Sequence, residues 1–272
     1  MSRVNQHNMR QVLRRLLRRP GVTSAPAPVN RPPTFEEEFI ARASARAADT
    51  EEFRRELVTN FSTIHANILC AHQEAEMLIL AEAILASEVE GPIVEFGCFK
   101  GGSTSKLSLV AKATGRTLYV CDSFEGLPAP AGFDAAHQLT TGRVKHYAQG
   151  DYCGTYDEVV ANVKTWGAIE SCEFVKGFYS ETLPSLDVRP AVVFMDVDLI
   201  ESARDCLKYI WPRLRPGGKY FTHEATARTF IYGLLDSGWW HRNMERCPPI
   251  LFGAGHGFGP HALNLAYFEK SE

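Results

Sequence analysis

Three acidic side chains stand at or near the ends of apolar runs, where each can meet a ligand. Glu95 lies within the run Pro92 to Phe96, which leads into Gly97-Cys98-Phe99-Lys100-Gly101-Gly102-Ser103-Thr104. Asp122 follows the run Thr117 to Cys121, and Asp196 follows Ala191-Val192-Val193-Phe194-Met195. A strand, a glycine turn and a helix start make the pattern of a nucleotide-binding βαβ unit. Gly97 permits a sharp turn close to a ligand, and Gly101 and Gly102 leave backbone N–H groups open to it. Ser103 or Thr104 is placed to cap the helix that follows. Glu95 suits a cationic or amino-bearing ligand. Asp122, about 20 residues beyond the turn, suits the hydroxyls of a ribose.

These residues need a scaffold that gathers strand ends. From Gly91 the pattern alternates, with strands expected at Ile93–Phe96, Thr117–Cys121, Glu173–Val175, Ala191–Met195 and Lys219–Thr222. Helices are expected at Ser103–Ala113, Tyr156–Trp166, Ala203–Leu214 and Thr226–Asp236. Such alternation predicts an α/β fold with a mainly parallel sheet covered by helices on both faces. Ligands then sit at the carboxyl edge, which collects Glu95, Asp122 and Asp196. The stretch Pro128 to Gly154 has no clear period and reads as a loop near the site. Gly253 to Pro260 reads as a mobile loop, and Leu263 to Phe268 as a late strand.

Extra helices precede this unit. Thr34 with Glu37 and Asp49 with Glu52 form the pattern of capping boxes, ahead of helices at Glu36–Arg46 and Glu51–Thr59. A third helix, Gln73–Ser87, carries Met77, Leu80, Ala81 and Leu85 on one face. His65 and His72 are given no role; His137 and His146, between Pro128 and Gly154, read as loop histidines, with a place facing the acceptor as the alternative. The division expected is a basic, Pro-rich flexible tail over 1–33, N-terminal helices over 34–90 that pack on and cover the site, and a ligand-binding domain over 91–272. The tail has no acidic residue, and Met9 to Arg19 has the pattern of a short basic amphipathic helix.

Composition narrows the function classes. The chain has 272 residues, 45% hydrophobic and 22% charged, so it reads as a globular protein. A formal net charge of −3 gives no overall attraction to nucleic acid. No apolar run is long enough for stable membrane insertion. Seven dispersed cysteines without a CxxC pair suit a reducing cytoplasm.

Several blocks together resemble the macrocin O-methyltransferase family. They are Val94-Glu95-Phe96-Gly97 with Lys100-Gly101-Gly102-Ser103, and Asp122-Ser123-Phe124-Glu125-Gly126-Leu127-Pro128. Then come Gly177-Phe178 with Glu181-Thr182-Leu183-Pro184, Asp196-Val197-Asp198-Leu199 with Glu201-Ser202, and Pro212-Arg213-Leu214 with Pro216-Gly217-Gly218. The blocks occur in the family's order between Gln73 and Lys270.

The resemblance implies a class I methyltransferase, Rossmann-like fold and S-adenosylmethionine as cofactor. The acceptor it implies is a small-molecule hydroxyl on a sugar or glycosylated natural product. Glu95, Phe96, Gly97, Gly101, Gly102 and Ser103 would line the methionine part, Asp122 would hold the ribose, Ser123 and Phe124 would flank the adenosine, and Gly177 and Phe178 would lie near the adenine. Asp196 would be a metal ligand and possible base. The family usually places two aspartates where this chain has His223 and Glu224, and a tyrosine where it has Ile200. A divalent metal on Asp196, His223 and Glu224 is therefore expected, either Mg²⁺ or a transition ion, since imidazole favours softer metals. The alternative without metal makes His223 the general base. Asp198 reads equally as a site residue or a helix cap. Competing readings are a catechol-type metal-dependent O-methyltransferase and a cofactor-binding protein that has lost methyl transfer. A homo-oligomer is also expected.

Overall fold

Short apolar runs rich in β-branched residues build the sheet. The strands are β1 Ile93–Phe96, β2 Leu118–Asp122, β3 Ala136–Gln138, β4 Val144–His146, β5 Cys172–Lys176, β6 Val192–Met195, β7 Lys219–Thr222 and β8 Ala266–Glu269. The computed structural model describes residues 33–44, 46, 49–257 and 263–271. The expected tail therefore lies outside the described residues except for Pro33, as does the expected amphipathic helix. Phe35–Glu272 forms one compact unit, so the helices before Gly91 share it with the sheet.

The main sheet has the order β5-β2-β1-β6-β7-β8, parallel except for β8. β1 and β6 are buried at every position, which is why they read as unbroken apolar runs rather than alternating ones. Register places Phe96 beside Cys121 and Met195, and Met195 beside Thr222. The next residues, Gly97, Asp122, Asp196 and His223, thus emerge along one edge. The strand order reverses direction about β1 and β6, the switch point where open α/β sheets bind ligands.

The helices are α1 Phe35–Ala41, α2 Glu51–Asn67, α3 Glu74–Ala86, α4 Gly102–Ala113, α5 Tyr156–Trp166, α6 Tyr179–Thr182, α7 Ile200–Ile210, α8 Arg228–Leu234 and α9 Ser237–Met244. Residues of α1 to α5 pack with Ile93, Val120, Val192 and Phe194 on one face of the sheet. Residues of α7 to α9 pack with Val94, Cys121, Val193 and Met195 on the other. The alternation along each strand sends its two side-chain sets into two cores.

Local chemistry moved several expected boundaries. Asp49 does not cap α2. Thr50 does, accepting from Phe53 N at 3.1 Å, while Asp49 pairs with Arg54. The helix expected from Ala203 starts at Ile200, because Asp134 accepts from Ile200 N at 2.7 Å and Glu201 N at 3.1 Å. That role goes to Asp134 rather than Asp198. The stretch expected to be a loop holds a 3₁₀ turn, Gly132–Ala135, and the β3–β4 hairpin. Strands of three residues are too short to show a period. His137 in that hairpin is buried and bonded to Asp134 at 3.0 Å. In the expected glycine loop, Gly255 N donates to Ala225 O at 2.7 Å, and residues 258–262 lie outside the described ones.

Arg54 is a buried cation in the helical layer. Its guanidinium reaches Asp49 Oδ1 and Glu82 Oε2 at 2.5 Å each, and Phe39 O at 2.6 Å. Burial pushes the Asp49 carboxyl up, but its bonds to Arg54 and Ser44 outweigh this and hold it below the usual value. Because its folded pKa is depressed, the contribution of Asp49 is present above its unfolded pKa and is lost as pH falls through the folded one. Arg54→Ala leaves two carboxylates facing a void and is expected to destabilise the fold by about 3–5 kcal/mol. Denaturant unfolding at neutral pH measures this, and a change below about 1 kcal/mol would contradict the assignment.

Candidate functional site

The turn after β1 is built for close approach. Gly97 has φ +82°, and a Cβ there would stand 1.9 Å from Asp196 O. Asp122 braces this turn and its own: Oδ2 accepts from Cys98 N and Oδ1 from Phe124 N, both at 2.7 Å. Burial pushes the Asp122 carboxyl up against the effect of those bonds. Gly101 and Gly102 also answer a packing constraint that the sequence reading did not include. A Cβ on Gly101 would press Val159 at 3.1 Å, and one on Gly102 would press Cys70 at 3.1 Å. They admit α5 and the segment before α3 to the start of α4. Gly101, left-handed at φ +79°, is itself the N-cap, so neither Ser103 nor Thr104 caps that helix.

A cavity of about 540 Å³ opens at this edge, within the usual range for small-molecule sites. Of the residues anticipated from sequence, Gly97, Gly102, Ser103, Asp122, Ser123, Phe178, Asp196, His223 and Glu224 line it. Glu95, Phe96, Gly101, Phe124 and Gly177 stand outside the lining. Glu95 is fully buried; Thr104 Oγ1 donates to its Oε2 at 2.7 Å, while its Oε1 has no partner. Burial lifts its carboxyl to about 7 despite hydrogen bonds from Ser103 and Thr104. Phe96 packs edge-on against Tyr179, and Phe124, at φ +58°, packs against Tyr156 and Phe174. Gly177 N donates to Asp122 O at 2.9 Å.

The floor of the cavity is a charged network centred on Asp196. His72 Nε2 lies 2.8 Å from its Oδ2, and His223 Nδ1 lies 3.5 Å from its Oδ1. The other nitrogen of His223 meets Glu76 Oε2 at 3.0 Å, and the two imidazoles lie 4.5 Å apart in an edge-on arrangement. Burial raises the Asp196 carboxyl, but the two histidines outweigh it and hold it well below its usual value. In turn, burial and His223 lower His72, and bonds to Asp196 and Cys70 overcome them to reach about 9. His223 is also raised, because Asp196 and Glu76 outweigh its burial.

Two further carboxyls adjoin Asp196. Glu224 Oε1 accepts from Val197 N and Asp198 N at 3.1 Å each, and its Oε2 accepts from the Thr222 hydroxyl. Burial, then Asp196 and Asp198, lift Glu224 to about 8. Asp198 is held by Lys145 Nζ at 2.8 Å, and that ammonium sits 4.8 Å from the Tyr147 ring centre and 5.0 Å from that of Tyr152. Ligand atoms of His72, Asp196 and His223 lie within 4.8 Å of one another, as do those of Asp196, Asp198 and Glu224.

Sequence reasoning missed His72, Glu76 and Lys145. His72 and Asp196 are 124 positions apart, and nothing in the local pattern joins them. Glu76 carries one legible sign: it stands three residues after the α3 N-cap, Gln73, whose N–H it accepts at 2.7 Å.

Known proteins share this architecture and sequence. The solved structure of the O-methyltransferase NovP superposes with a TM-score of 0.59 at 20% identity, covering 75% of this chain and 84% of that one. Calicheamicin methyltransferase CalS11 gives 0.55 at 18%, covering 82% and 95%. A tetracenomycin rhamnosyl 4'-O-methyltransferase of Streptomyces olivaceus is 37% identical over 142 residues, 50% of this chain and 54% of the relative. Mycinamicin III 3''-O-methyltransferase of Micromonospora griseorubida is 27% identical over 184 residues, 66% of this chain and 72% of the relative. The chain spans about half the length of the Streptomyces relatives it matches. The macrocin-O-methyltransferase (TylF) family model matches residues 26–228, three quarters of the sequence, and the chain belongs to that family.

Proposed function

We propose that this chain transfers the methyl group of S-adenosylmethionine to a hydroxyl on the sugar of a glycosylated natural product. The observation that carries this is one cavity joining the Gly97–Asp122 edge to the Asp196 floor. The names of the Streptomyces and Micromonospora relatives, both sugar O-methyltransferases, support the acceptor class.

The residues present fit the cofactor. Asp122 faces the cavity and, with each oxygen bonded once, keeps lone pairs for ribose hydroxyls. Glu95, buried with its Oε1 unpartnered and its carboxyl close to Ser103 and Thr104, would balance an amino group on the Ser103 side. S-adenosylmethionine supplies the methyl group and its own leaving group. The chain must place the acceptor hydroxyl in line and help remove its proton. A sugar hydroxyl is almost wholly protonated at neutral pH, so it needs a base or an adjacent cation.

His223 is poorly placed to be that base, because one nitrogen is bonded to Glu76 and the other faces Asp196. The floor suits a cation better, and the convergence of donor atoms on Asp196 fits a divalent metal. Asp196 and His223 would hold it, with Glu224 beneath them fixing the Val197–Asp198 backbone; such an ion lowers the pKa of a bound hydroxyl. Lys145 and the two tyrosine rings fix Asp198 at the acceptor side. The unpaired cysteines accord with a cytoplasmic enzyme, and among the described residues no helix is long and apolar enough to cross a membrane.

Incubation with labelled S-adenosylmethionine and a rhamnosylated polyketide or macrolide acceptor is expected to give a labelled methyl ether. No transfer to any of a panel of sugar hydroxyls would refute the activity. Asp122→Asn removes the charge from a ribose contact worth about 1.5–3 kcal/mol, so the affinity for S-adenosylhomocysteine should fall roughly 10–150-fold. Unchanged affinity by calorimetry would mean the cofactor lies elsewhere. Exhaustive chelation should abolish turnover while leaving S-adenosylhomocysteine binding intact; full activity in a metal-free sample would exclude metal assistance.

A further inference from the structure

The Asp196 floor offers two sets of metal-ligating atoms, one of oxygens alone and one with two imidazoles. The oxygen set is heavily engaged. Glu224 accepts two backbone N–H bonds on one oxygen and the Thr222 hydroxyl on the other, and Asp198 is paired with Lys145. The imidazole set is arranged differently. His72 Nε2 and His223 Nδ1 approach different oxygens of the same carboxylate, at 2.8 and 3.5 Å. Atoms bound about 2.1 Å from one ion lie roughly 3.0–3.4 Å apart, and these separations fall just either side of that range, so a shared ion needs only small shifts of the rings.

The far nitrogen of each ring is held by a further residue. His223 Nε2 meets Glu76 Oε2 at 3.0 Å, and Glu76 is itself fixed by Gln73 N at 2.7 Å and Asn264 N at 2.6 Å. His72 Nδ1 lies 3.4 Å from Cys70 Sγ, and the buried Lys106 ammonium donates to that sulfur at 3.7 Å. With protons on His223 Nε2 and His72 Nδ1, the remaining lone pairs face Asp196. A carboxylate behind a ligating histidine is the usual means of setting its tautomer and orientation.

We propose that His72, Asp196 and His223 form a two-histidine, one-carboxylate site for a first-row transition-metal dication, with Glu76 and Cys70 orienting the imidazoles. The site does not match the all-oxygen coordination that Mg²⁺ prefers. His72 comes from the segment before α3, so the N-terminal helices complete the metal centre as well as covering it. Glu224 then acts beneath the site, fixing the Val197–Asp198 backbone. This rests on the methyltransferase reading only for what the metal is used for; the binding itself does not.

The test is direct titration of the metal-free full chain with Co²⁺, followed by its ligand-field absorption, alongside Mg²⁺ by calorimetry. Co²⁺ is expected to bind one per chain and more tightly than Mg²⁺. His72→Ala and His223→Ala should each remove the absorption bands, and Glu76→Gln should weaken binding about 10–100-fold. Glu224→Gln should leave the bands in place. Melting temperature and S-adenosylhomocysteine affinity confirm that each variant is folded. Failure of Co²⁺ to bind while S-adenosylhomocysteine still binds would show a metal-free hydrogen-bonded network and overturn the site, leaving methyl transfer standing. Bands that survive His72→Ala but vanish in Glu224→Gln would assign the metal to the oxygen set instead.

Discussion

A single carboxylate between two imidazoles organises the floor of this cavity. Asp196 follows β6, the strand beside β1, and Gly97 must have no side chain because the Asp196 carbonyl lies where its Cβ would be. The same residue thus constrains the glycine turn through its backbone and the histidines through its side chain. The glycine turn after β1 and the Asp196 network after β6 are separated by one strand spacing, about 4.8 Å. Displacing either strand end disturbs both.

The periphery is held to that centre by pairs that cross long stretches of chain. Asp134 of the insert binds the first two N–H groups of α7, which the helix cannot satisfy itself. Lys145 of the same insert reaches Asp198. Bridges from Leu139 and Thr140 to Ala227 and Thr226 fasten the hairpin to the chain after β7. The insert is therefore a wall with its own hydrogen bonding.

Much of the sheet was legible because buried parallel strands leave unbroken apolar runs, and β7 and α5 fall on their expected limits. Glycine and acid at strand ends announced the edge where the cavity lies. What escaped reading shares one property: it depends on partners distant in sequence. His72 looks like an ordinary histidine before a helix until α3 packs beside β6 and brings it to Asp196. Asp198 had the position of a cap, but the cap comes from Asp134, 66 residues before the Ile200 N–H it accepts. Glu95 was anticipated along the methionine part of a cofactor; its side chain is buried beneath Thr104, a partner the strand-end position does not reveal.

The substituted pair after β7 makes physical sense as part of a larger set. A histidine at 223 places a ring beside Asp196 whose second nitrogen points into the protein interior, where an unpaired polar atom costs about 1–3 kcal/mol. Glu76 meets that nitrogen; burial pushes its carboxyl up, but His223 first, then the N–H groups of Asn264 and Gln73, hold it below its usual value. Asp196, Asp198 and Glu76 are each paired with a basic group, His72, Lys145 and His223 respectively, while burial, Asp196 and Asp198 lift Glu224 to about 8. A dication can enter such a network only by displacing protons from the imidazoles, so metal and proton compete for the same lone pairs. An aspartate at 223 would add a negative charge and leave Glu76 without its partner. The histidine and the glutamate on α3 are therefore one structural decision, made at two places 147 residues apart.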